Sequence, residues 1–385
     1  MVVQIRTSEK SMALPHKLVR WDITNRCNRN CRHCITADKY TDEIECSTQE
    51  RKKLVDKMEK FGIGRIHLLG GEPLVIKNIS ELIDYVITKN IFLSLNTNGF
   101  RLCDDENLAK QCSERKVGVS FSLDGVNALT HDKIRGMNSY SEVIAAMNNV
   151  AKYSSSDNIN AIYMTLSQDN IHSNFEEIFR LAKEFNIYNI VFGFVIPSGN
   201  AAIHYAENPV TLSLLLDTVV EISRIALDYS NITVSFPFQT PLLSEYLRAK
   251  LHIDFPIRYS KCKCGLCEFQ LTPGGFLYPC IFLISPEKTI KYNNLDVKIT
   301  KKDFSLLDND FCSIVNNNYY KEVFLKILHT ANLDKIEPCR YCIYHTKLGI
   351  CGPCAFQNYD ENENVFHRHL LCEEIKQHGN FGNRE

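Results

Sequence analysis

Short apolar segments alternate with segments of helical periodicity through the first two-thirds of the chain. The segments with the length and apolar content of buried strands are 18–24, 65–69, 92–96, 116–123, 161–166 and 189–195. Apolar residues recur at helical spacing in 47–60, 80–89, 104–114, 141–152, 175–185 and 212–229, and the first of these begins with a Ser47–Glu50 capping box. This alternation predicts an α/β domain of about six β/α units on a parallel sheet, either barrel-like or doubly wound.

The pattern changes after Phe236. The next segment contains three prolines, which interrupt regular helices and strands: Pro237, Pro241 and Pro256. From Cys262 onward the chain is rich in cysteines, glycines and turn residues. We therefore expect an α/β domain over 16–236, a connecting region over 237–261, and a Cys-rich domain over 262–375.

Composition excludes several classes of protein. A net charge of −1 gives no basic excess for binding nucleic acid. No run reaches the roughly 18 apolar residues that a membrane span needs. Because the N-terminal residues also lack the apolar core of a secretory signal, we expect a cytoplasmic protein that binds neither membrane nor nucleic acid.

The 16 cysteines point to metal chemistry. In a large chain without an export signal, short-spaced cysteines favour metal or iron–sulfur ligation over disulfides. Cys27, Cys31 and Cys34 follow the first predicted strand, and three thiolates at this spacing can hold three irons of one 4Fe–4S cluster, leaving one iron open. The alternative is a zinc site completed by His33.

Further motifs follow the next predicted strands. Gly70-Gly71-Glu72-Pro73 ends the second strand, and glycines there let a backbone approach a ligand closely. The later motifs are Asn96-Thr97-Asn98-Gly99, Ser120-x-Ser122-Leu123-Asp124-Gly125 and His131-Asp132-x-x-Arg135-Gly136. Each alone is explained equally well by a turn or a helix cap. Together they lie where a parallel sheet binds ligands, at the carboxyl ends of its strands.

These motifs, in this order, resemble the radical S-adenosylmethionine (SAM) superfamily. The resemblance implies a partial (β/α)6 TIM-like barrel, with a 4Fe–4S cluster on Cys27, Cys31 and Cys34 whose open iron chelates SAM. It implies that SAM is cleaved reductively to a 5′-deoxyadenosyl radical, which abstracts a substrate hydrogen. The residues implied to bind SAM are Gly70, Gly71, Glu72 (methionine ammonium), Asn98, Ser122 (ribose) and Arg135 (SAM carboxylate).

The C-terminal third resembles the SPASM extension of the same superfamily. The cysteines that carry this likeness are Cys262, Cys264, Cys267, Cys280, Cys339, Cys342, Cys351, Cys354 and Cys372. Eight residues separate Cys342 from Cys351 where the pattern has five, and two separate Cys351 from Cys354 where it has three.

The SPASM resemblance implies one or two auxiliary 4Fe–4S clusters. The first would be held by Cys280 and Cys354 with one or two of Cys262, Cys264 and Cys267. The second set is Cys339, Cys342, Cys351 and Cys372. A zinc ribbon formed by Cys339, Cys342, Cys351 and Cys354 is the alternative, and we expect Cys46, Cys103, Cys112 and Cys312 to be ordinary residues.

The resemblance implies an oxidoreductase-type enzyme that oxidises or crosslinks a ribosomally made peptide. The second hypothesis is an enzyme that modifies a sugar-like or other small metabolite by radical chemistry. The third is a non-catalytic binding protein whose fold is stabilised by zinc. Sulfatase-maturing relatives have a catalytic Asp where this chain has Ile281, so that activity is not expected.

Only about 25 residues precede Cys27, so we expect a peptide to need a separate leader-peptide-binding protein or recognition by the barrel. We also expect a flavodoxin- or ferredoxin-like electron donor.

Overall fold

The computed structural model describes residues 17–37, 40, 42–237, 240–253, 260–281, 289–292, 295–298, 301–317, 320–321, 341–347, 351–352, 370–379 and 381. Cys339 and Cys354 lie outside the described residues, and only the backbone of Cys351 is described. None of the described helices is long and apolar enough to cross a membrane.

The strands begin and end where short apolar runs meet turn residues. In chain order they are β1 Leu18–Asp22, β2 Arg65–Leu69, β3 Phe92–Thr97, β4 Gly118–Ser122, β5 Ala161–Leu166, β6 Asn189–Phe194, β7 Thr233–Ser235, β8 Ser260–Lys261, β9 Glu268–Leu271, β10 Leu277–Tyr278, β11 Thr289–Tyr292, β12 Leu295–Lys298 and β13 Cys351–Gly352. The first six confirm the six strands that the sequence predicts.

The α-helices follow amphipathic segments. They are α1 Thr48–Phe61, α2 Ile79–Thr88, α3 Phe100–Asp104, α4 Glu106–Glu114, α5 Ala128–Arg135, α6 Ser139–Ala151, α7 Glu176–Glu184, α8 Asn200–Tyr205, α9 Leu212–Asp228, α10 Pro241–Leu251, α11 Phe311–Asn316, α12 Ile343–Thr346 and α13 Leu370–Gln377. Short 3₁₀ helices cover Pro73–Val75 and Lys301–Phe304.

Helix α1 shows how local sequence fixes a helix start. The Ser47 backbone N–H donates to Glu50 Oε2 at 2.7 Å, and the Glu50 N–H donates to Ser47 Oγ at 3.3 Å. This is the capping box that the sequence predicts. The predicted helix over 104–114 is α4, which begins at Glu106 because Asp105 caps it through the Leu108 N–H; α3, just before it, was not predicted.

Nine strands form one open sheet in the order β10-β9-β1-β2-β3-β4-β5-β6-β7. All neighbours are parallel except β9 and β10. Within the described residues β7 and β10 are the two ends of the sheet, so the barrel is partial, as predicted. Strand β9 comes from the Cys-rich part of the chain and pairs with β1, so the sheet continues past the predicted boundary at 236.

The two faces of the sheet differ in polarity. Alternate residues of a strand face opposite sides. One face carries apolar side chains such as Trp21, Leu68 and Leu95 and packs in the core. The other face carries Arg20 and His67, which are paired in register, and borders an open space inside the barrel. A complete TIM barrel fills that interior with branched apolar side chains, whereas this one is polar and hollow.

Candidate active site

A cavity of about 790 Å³ opens at the carboxyl ends of the strands. Every residue that the sequence singles out for the N-terminal cluster and for SAM lines it: Cys27, Cys31, Cys34, Gly70, Gly71, Glu72, Asn98, Ser122 and Arg135. The structure therefore brings together residues that are separated by up to about a hundred positions in the sequence.

The three thiols lie on the loop that leaves β1. The Cys34 N–H donates to the Cys31 carbonyl at 3.2 Å, and the Arg29 N–H contacts Cys27 Sγ at 3.4 Å. Burial raises the pKa of the Cys27 thiol to about 11 and also raises that of Cys31, although Arg135 acts against the shift at Cys31. Thiols whose pKa is raised stay protonated near pH 7, and metal ligation is what would convert them to thiolates.

Helix α8 holds the cysteine loop from the opposite side. The Asn200 backbone N–H donates to the Cys34 carbonyl at 2.9 Å, and Asn200 Nδ2 donates to the Cys31 carbonyl at 3.0 Å. The same amide lies 2.5 Å from Asn30 Oδ1. Gly199 precedes Asn200, and a Cβ there would lie 2.6 Å from the Cys34 carbonyl oxygen.

The double glycine packs directly on the cysteine loop. The Gly71 N–H donates to the Thr24 carbonyl at 2.8 Å, and the Glu72 N–H donates to the Arg26 carbonyl at 2.9 Å. A Cβ on Gly70 would overlap the Thr24 carbonyl oxygen, and Gly70 has a φ of 122°. Only glycine fits this approach between two backbones.

Glu72 is a buried carboxylate with three protein donors. Its Oε1 accepts from Leu74 N at 3.1 Å and Thr97 Oγ1 at 2.8 Å, and its Oε2 accepts from Asn98 N at 2.8 Å. Burial raises its pKa to about 7 in spite of these bonds. Since a carboxylate offers about four acceptor positions, one remains for a ligand in the cavity.

A second polar group surrounds Asp124, at the end of β4. Arg135 Nε donates to Asp124 Oδ2, Arg135 Nη1 lies 3.9 Å from Cys31 Sγ, and Arg135 Nη2 lies 3.3 Å from His33 Nε2. His33 Nε2 is also 3.4 Å from Asp124 Oδ2. Burial lowers the pKa of His33 to about 4, so the ring is neutral near pH 7.

The donor set fits an iron–sulfur cube better than a zinc ion. Zinc binds thiolates at about 2.3 Å, so its ligands crowd within about 4 Å of one another. In the described part of the chain, no three His, Cys, Asp or Glu side chains are placed to hold one metal ion. His33, the expected fourth zinc ligand, instead directs Nε2 toward Asp124 and Arg135. Three cysteines that face an open cavity suit a cube with one open iron, whereas structural zinc sites are closed and four-coordinate.

The cavity continues into the polar interior of the barrel. Arg20, Asp22, His67, Asn96 and Tyr163 line its floor. Arg20 Nη1 pairs with Glu268 at 2.7 Å, and His67 Nδ1 contacts Ser94 at 2.7 Å.

Four of these floor residues, Arg20, Asp22, His67 and Tyr163, are not among the site residues that the sequence predicts. The usable signal was a polar residue at every second position of otherwise apolar strands. Ile281, the residue in place of the sulfatase-type Asp, also lines the cavity.

The C-terminal cysteines fall into groups. Hydrogen bonding to Cys264 raises the pKa of the Cys262 thiol, and Cys264 is in turn hydrogen-bonded to Cys280. Cys267 is not part of that chain of contacts; burial raises its pKa. Cys342 is buried, and Cys372 Sγ lies 3.6 Å from Thr240 Oγ1. Cys46, Cys103, Cys112 and Cys312, which we expect to be ordinary residues, form no disulfide, and neither do the predicted ligands whose side chains the structure describes.

The fold is a partial β/α barrel, with three cysteines of one loop lining a cavity at its carboxyl edge. Residues 21–182 match the family model described as the Radical SAM superfamily. The superfamily implies a 4Fe–4S cluster and SAM.

Relatives and solved structures extend the likeness. The mycofactocin maturase MftC of Mycolicibacterium smegmatis is 34% identical over 131 residues, 34% of this chain and 33% of the relative. The Fe-coproporphyrin III synthase of Methanosarcina barkeri is 31% identical over 250 residues, 63% of this chain and 58% of the relative. The match to the maturase thus spans about one third of that protein's length.

A solved structure described as native anSMEcpe with bound AdoMet and Kp18Cys peptide has a TM-score of 0.67 at 17% identity, and covers 94% of both chains. At that identity the likeness establishes the fold alone, and the described strands form the partial barrel that the sequence predicts.

Proposed function

We propose that this chain is a radical SAM enzyme whose barrel cavity binds SAM beside a 4Fe–4S cluster and the substrate beneath it. One observation carries the proposal: a single cavity contains the three thiols, the double glycine, Glu72 and the polar floor of the barrel. When bound, the reduced cluster supplies the electron that cleaves SAM into methionine and a 5′-deoxyadenosyl radical.

The chain's own residues have separable tasks in this proposal. Cys27, Cys31 and Cys34 hold the cluster. Gly70 and Gly71 leave backbone exposed to the methionine part of SAM, and Glu72 offers its remaining acceptor position to the methionine ammonium. Asn98 and Ser122 line the same wall of the cavity, where they can hydrogen-bond to SAM.

We propose a ribosomally made peptide as the substrate and its oxidation or crosslinking as the reaction. Two likenesses support this: a relative named as a mycofactocin maturase, and a solved structure of the same fold described with a bound peptide. At the position where sulfatase-maturing relatives have an Asp, Ile281 cannot accept a proton, which favours a reaction other than sulfatase maturation. A flavodoxin- or ferredoxin-like protein would deliver the electron.

A small metabolite is the second candidate. It is supported by the match over 63% of the chain to a Fe-coproporphyrin III synthase. The polar barrel floor suits either substrate, so the choice rests on experiment.

The test starts with anaerobic purification and reconstitution. About twelve irons and sulfides per chain would indicate three 4Fe–4S clusters, and about eight would indicate one auxiliary cluster. Cys31→Ala should abolish reductive formation of 5′-deoxyadenosine, and retained formation above background would overturn the cluster assignment. Candidate peptides and coproporphyrin are then compared for stimulation of 5′-deoxyadenosine formation and for a mass change in the candidate.

A further inference from the structure

Helix α8 makes few apolar contacts with the rest of the protein. It has six residues, of which only Ala201 and Tyr205 are buried, and Ile203 is 76% exposed. A helix this short does not form by itself in water, so contacts with other elements must fix its position. That position matters for the site, because the segment that leads into α8 lines the cavity.

The first end of α8 supports the cysteine loop. Asn200 bonds through its backbone to the Cys34 carbonyl and through its side chain to the Cys31 carbonyl and Asn30, as given above. These bonds reach two of the three residues that are expected to hold the N-terminal cluster.

The other end of α8 is fixed by Tyr205. Its hydroxyl donates to Asp169 Oδ2 at 2.8 Å, and its side chain is buried. Asp169 lies in the loop after β5 and also pairs with Lys133 Nζ at 2.8 Å and with Arg32 Nε at 3.3 Å. One carboxylate thus joins α8, α5 and the cysteine loop.

The ionisation of both partners suits this hydrogen bond. Burial alone would raise the pKa of Asp169, but Lys133, Tyr205 and Arg32 hold it below the ordinary value. Burial and the bond to Asp169 raise the pKa of Tyr205 to about 12. Near pH 7 the carboxylate is therefore an acceptor and the phenol is a donor.

We propose that Tyr205 and Asp169 are positioning residues for the N-terminal cluster, because they hold α8 where Asn200 supports the cysteine loop. This inference rests on the proposed function. Residues that orient metal ligands without touching the metal typically contribute roughly 10- to 100-fold to metal affinity. Tyr205 is the better residue to replace first, since Tyr205→Phe changes no charge near the cluster.

The experiment measures how fast the cluster is lost from the reconstituted full-length protein under an excess of iron chelator. The N-terminal cluster is followed by the EPR signal that changes when SAM is added. Tyr205→Phe should lose this signal about tenfold faster than the unmodified protein. An unchanged rate would overturn the inference.

Tyr85→Phe is the matched control. Tyr85 Oη donates to Asp56 Oδ1 at 2.7 Å, which joins α2 to α1 without touching the cysteine loop. This variant should lose the signal at the unmodified rate. Equal acceleration in both variants would indicate general destabilisation and contradict a specific role of Tyr205.

A double-mutant cycle tests whether Tyr205 acts through Asn200. If it does, Tyr205→Phe should accelerate the loss clearly less in the Asn200→Ala background than in the unmodified protein, because the side-chain bonds that it protects are already gone. The same factor in both backgrounds would show that the two residues act independently.

Two replacements of Asp169 separate the hydrogen bond from the charge. Asp169→Ala and Asp169→Asn remove the same negative charge, but only Asn keeps an oxygen that can accept from Tyr205. Removing the charge alone would favour an anionic cluster and slow its loss. We expect faster loss in Asp169→Ala and an intermediate rate in Asp169→Asn. Equal rates in the two variants, or slower loss in Asp169→Ala, would contradict the role of Asp169.

Amide hydrogen exchange on the protein before cluster insertion tests the same contact without iron. Tyr205→Phe should speed exchange in residues 28–34 and 200–205 and leave α1 unchanged. Exchange that Tyr205→Phe does not alter would contradict this inference alone. An unmodified protein that binds no cluster would instead contradict the proposed function.

Discussion

Gly71 lies so close to Arg26 that a Cβ on the glycine would overlap the Arg26 carbonyl oxygen and carbon. The turn after β2 and the cysteine loop after β1 are therefore built as one unit, joined through backbone atoms. This contact between the two loops is possible only because Gly71 has no side chain.

Gly71→Ala should therefore disturb the cysteine loop. The added methyl group meets backbone atoms, which cannot rotate away, so Cys27 and its neighbours must shift. We expect most of the reconstituted N-terminal cluster to be lost, measured as a fall of about four irons per chain.

Gly62→Ala is the control for a general effect of replacing glycine. Gly62 ends α1 with a φ of 80°, and the nearest atom to an added Cβ is 3.9 Å away. The change should cost about 1 kcal/mol of unfolding free energy and leave the iron content unchanged. Equal iron loss in both variants would contradict the steric explanation.

SAM affinity should rise with pH through neutrality. The pKa of Glu72 is about 7 because the side chain is buried, so the carboxyl is neutral below that pH and anionic above it. Only the anion attracts the methionine ammonium. Between pH 6 and pH 8 the anionic fraction grows roughly tenfold, and SAM affinity should rise by about the same factor. Equilibrium binding of labelled SAM measures it, and in Glu72→Gln the dependence should be flat.

Asn200→Ala should loosen the cluster without unfolding the barrel. It removes two side-chain hydrogen bonds to the cysteine loop, worth about 1–3 kcal/mol together, while the backbone bond to Cys34 remains. We expect iron to leave several-fold faster under a chelator. Asn149→Ala loses a matched pair of bonds, to the carbonyls of Leu102 and Cys103. Its rate of iron loss should equal that of the unmodified protein.

Among the upstream cysteines of the C-terminal part, the structure distinguishes Cys264 from Cys267. Cys264 is hydrogen-bonded to both Cys262 and Cys280. Cys264→Ala should therefore lose about four irons per chain, whereas Cys267→Ala should retain them. The reverse result, measured by iron and sulfide analysis, would show that the ligands rearrange when the cluster is inserted.

Local sequence signals predicted some helices and strands of the fold correctly, but they did not predict others. The capping box at Ser47 and the strand that precedes Gly70 depend on neighbouring residues, and both were predicted correctly. Helix α3 was missed because its five residues are too few to show a helical period. The pairing of β9 with β1 could not be predicted, since it joins residues about 250 positions apart and short β9 has no distinctive pattern.

The site residues also divide into those that local sequence predicts and those that depend on contacts between distant parts of the chain. Spacing alone brought Cys27, Cys31 and Cys34 into one loop, and motif order brought Glu72 and Asn98 to the same edge of the sheet. The contact between Arg135 and Cys31 depends on how α5 packs, which no local pattern encodes. His67 was missed because a single polar residue in an apolar strand carries little information until its register with Arg20 is known.

The pairing of β1 with β9 also has a consequence during protein synthesis. Strand β1 leaves the ribosome about 250 residues before its partner, which is roughly 12–50 s at ordinary rates of translation. Throughout that interval one hydrogen-bonding edge of β1 is open beside the nascent cysteine loop, and open edges invite pairing with other chains. A chain that stops before Glu268 keeps that edge permanently, so truncated products should aggregate or require chaperones even when they contain all of residues 21–182.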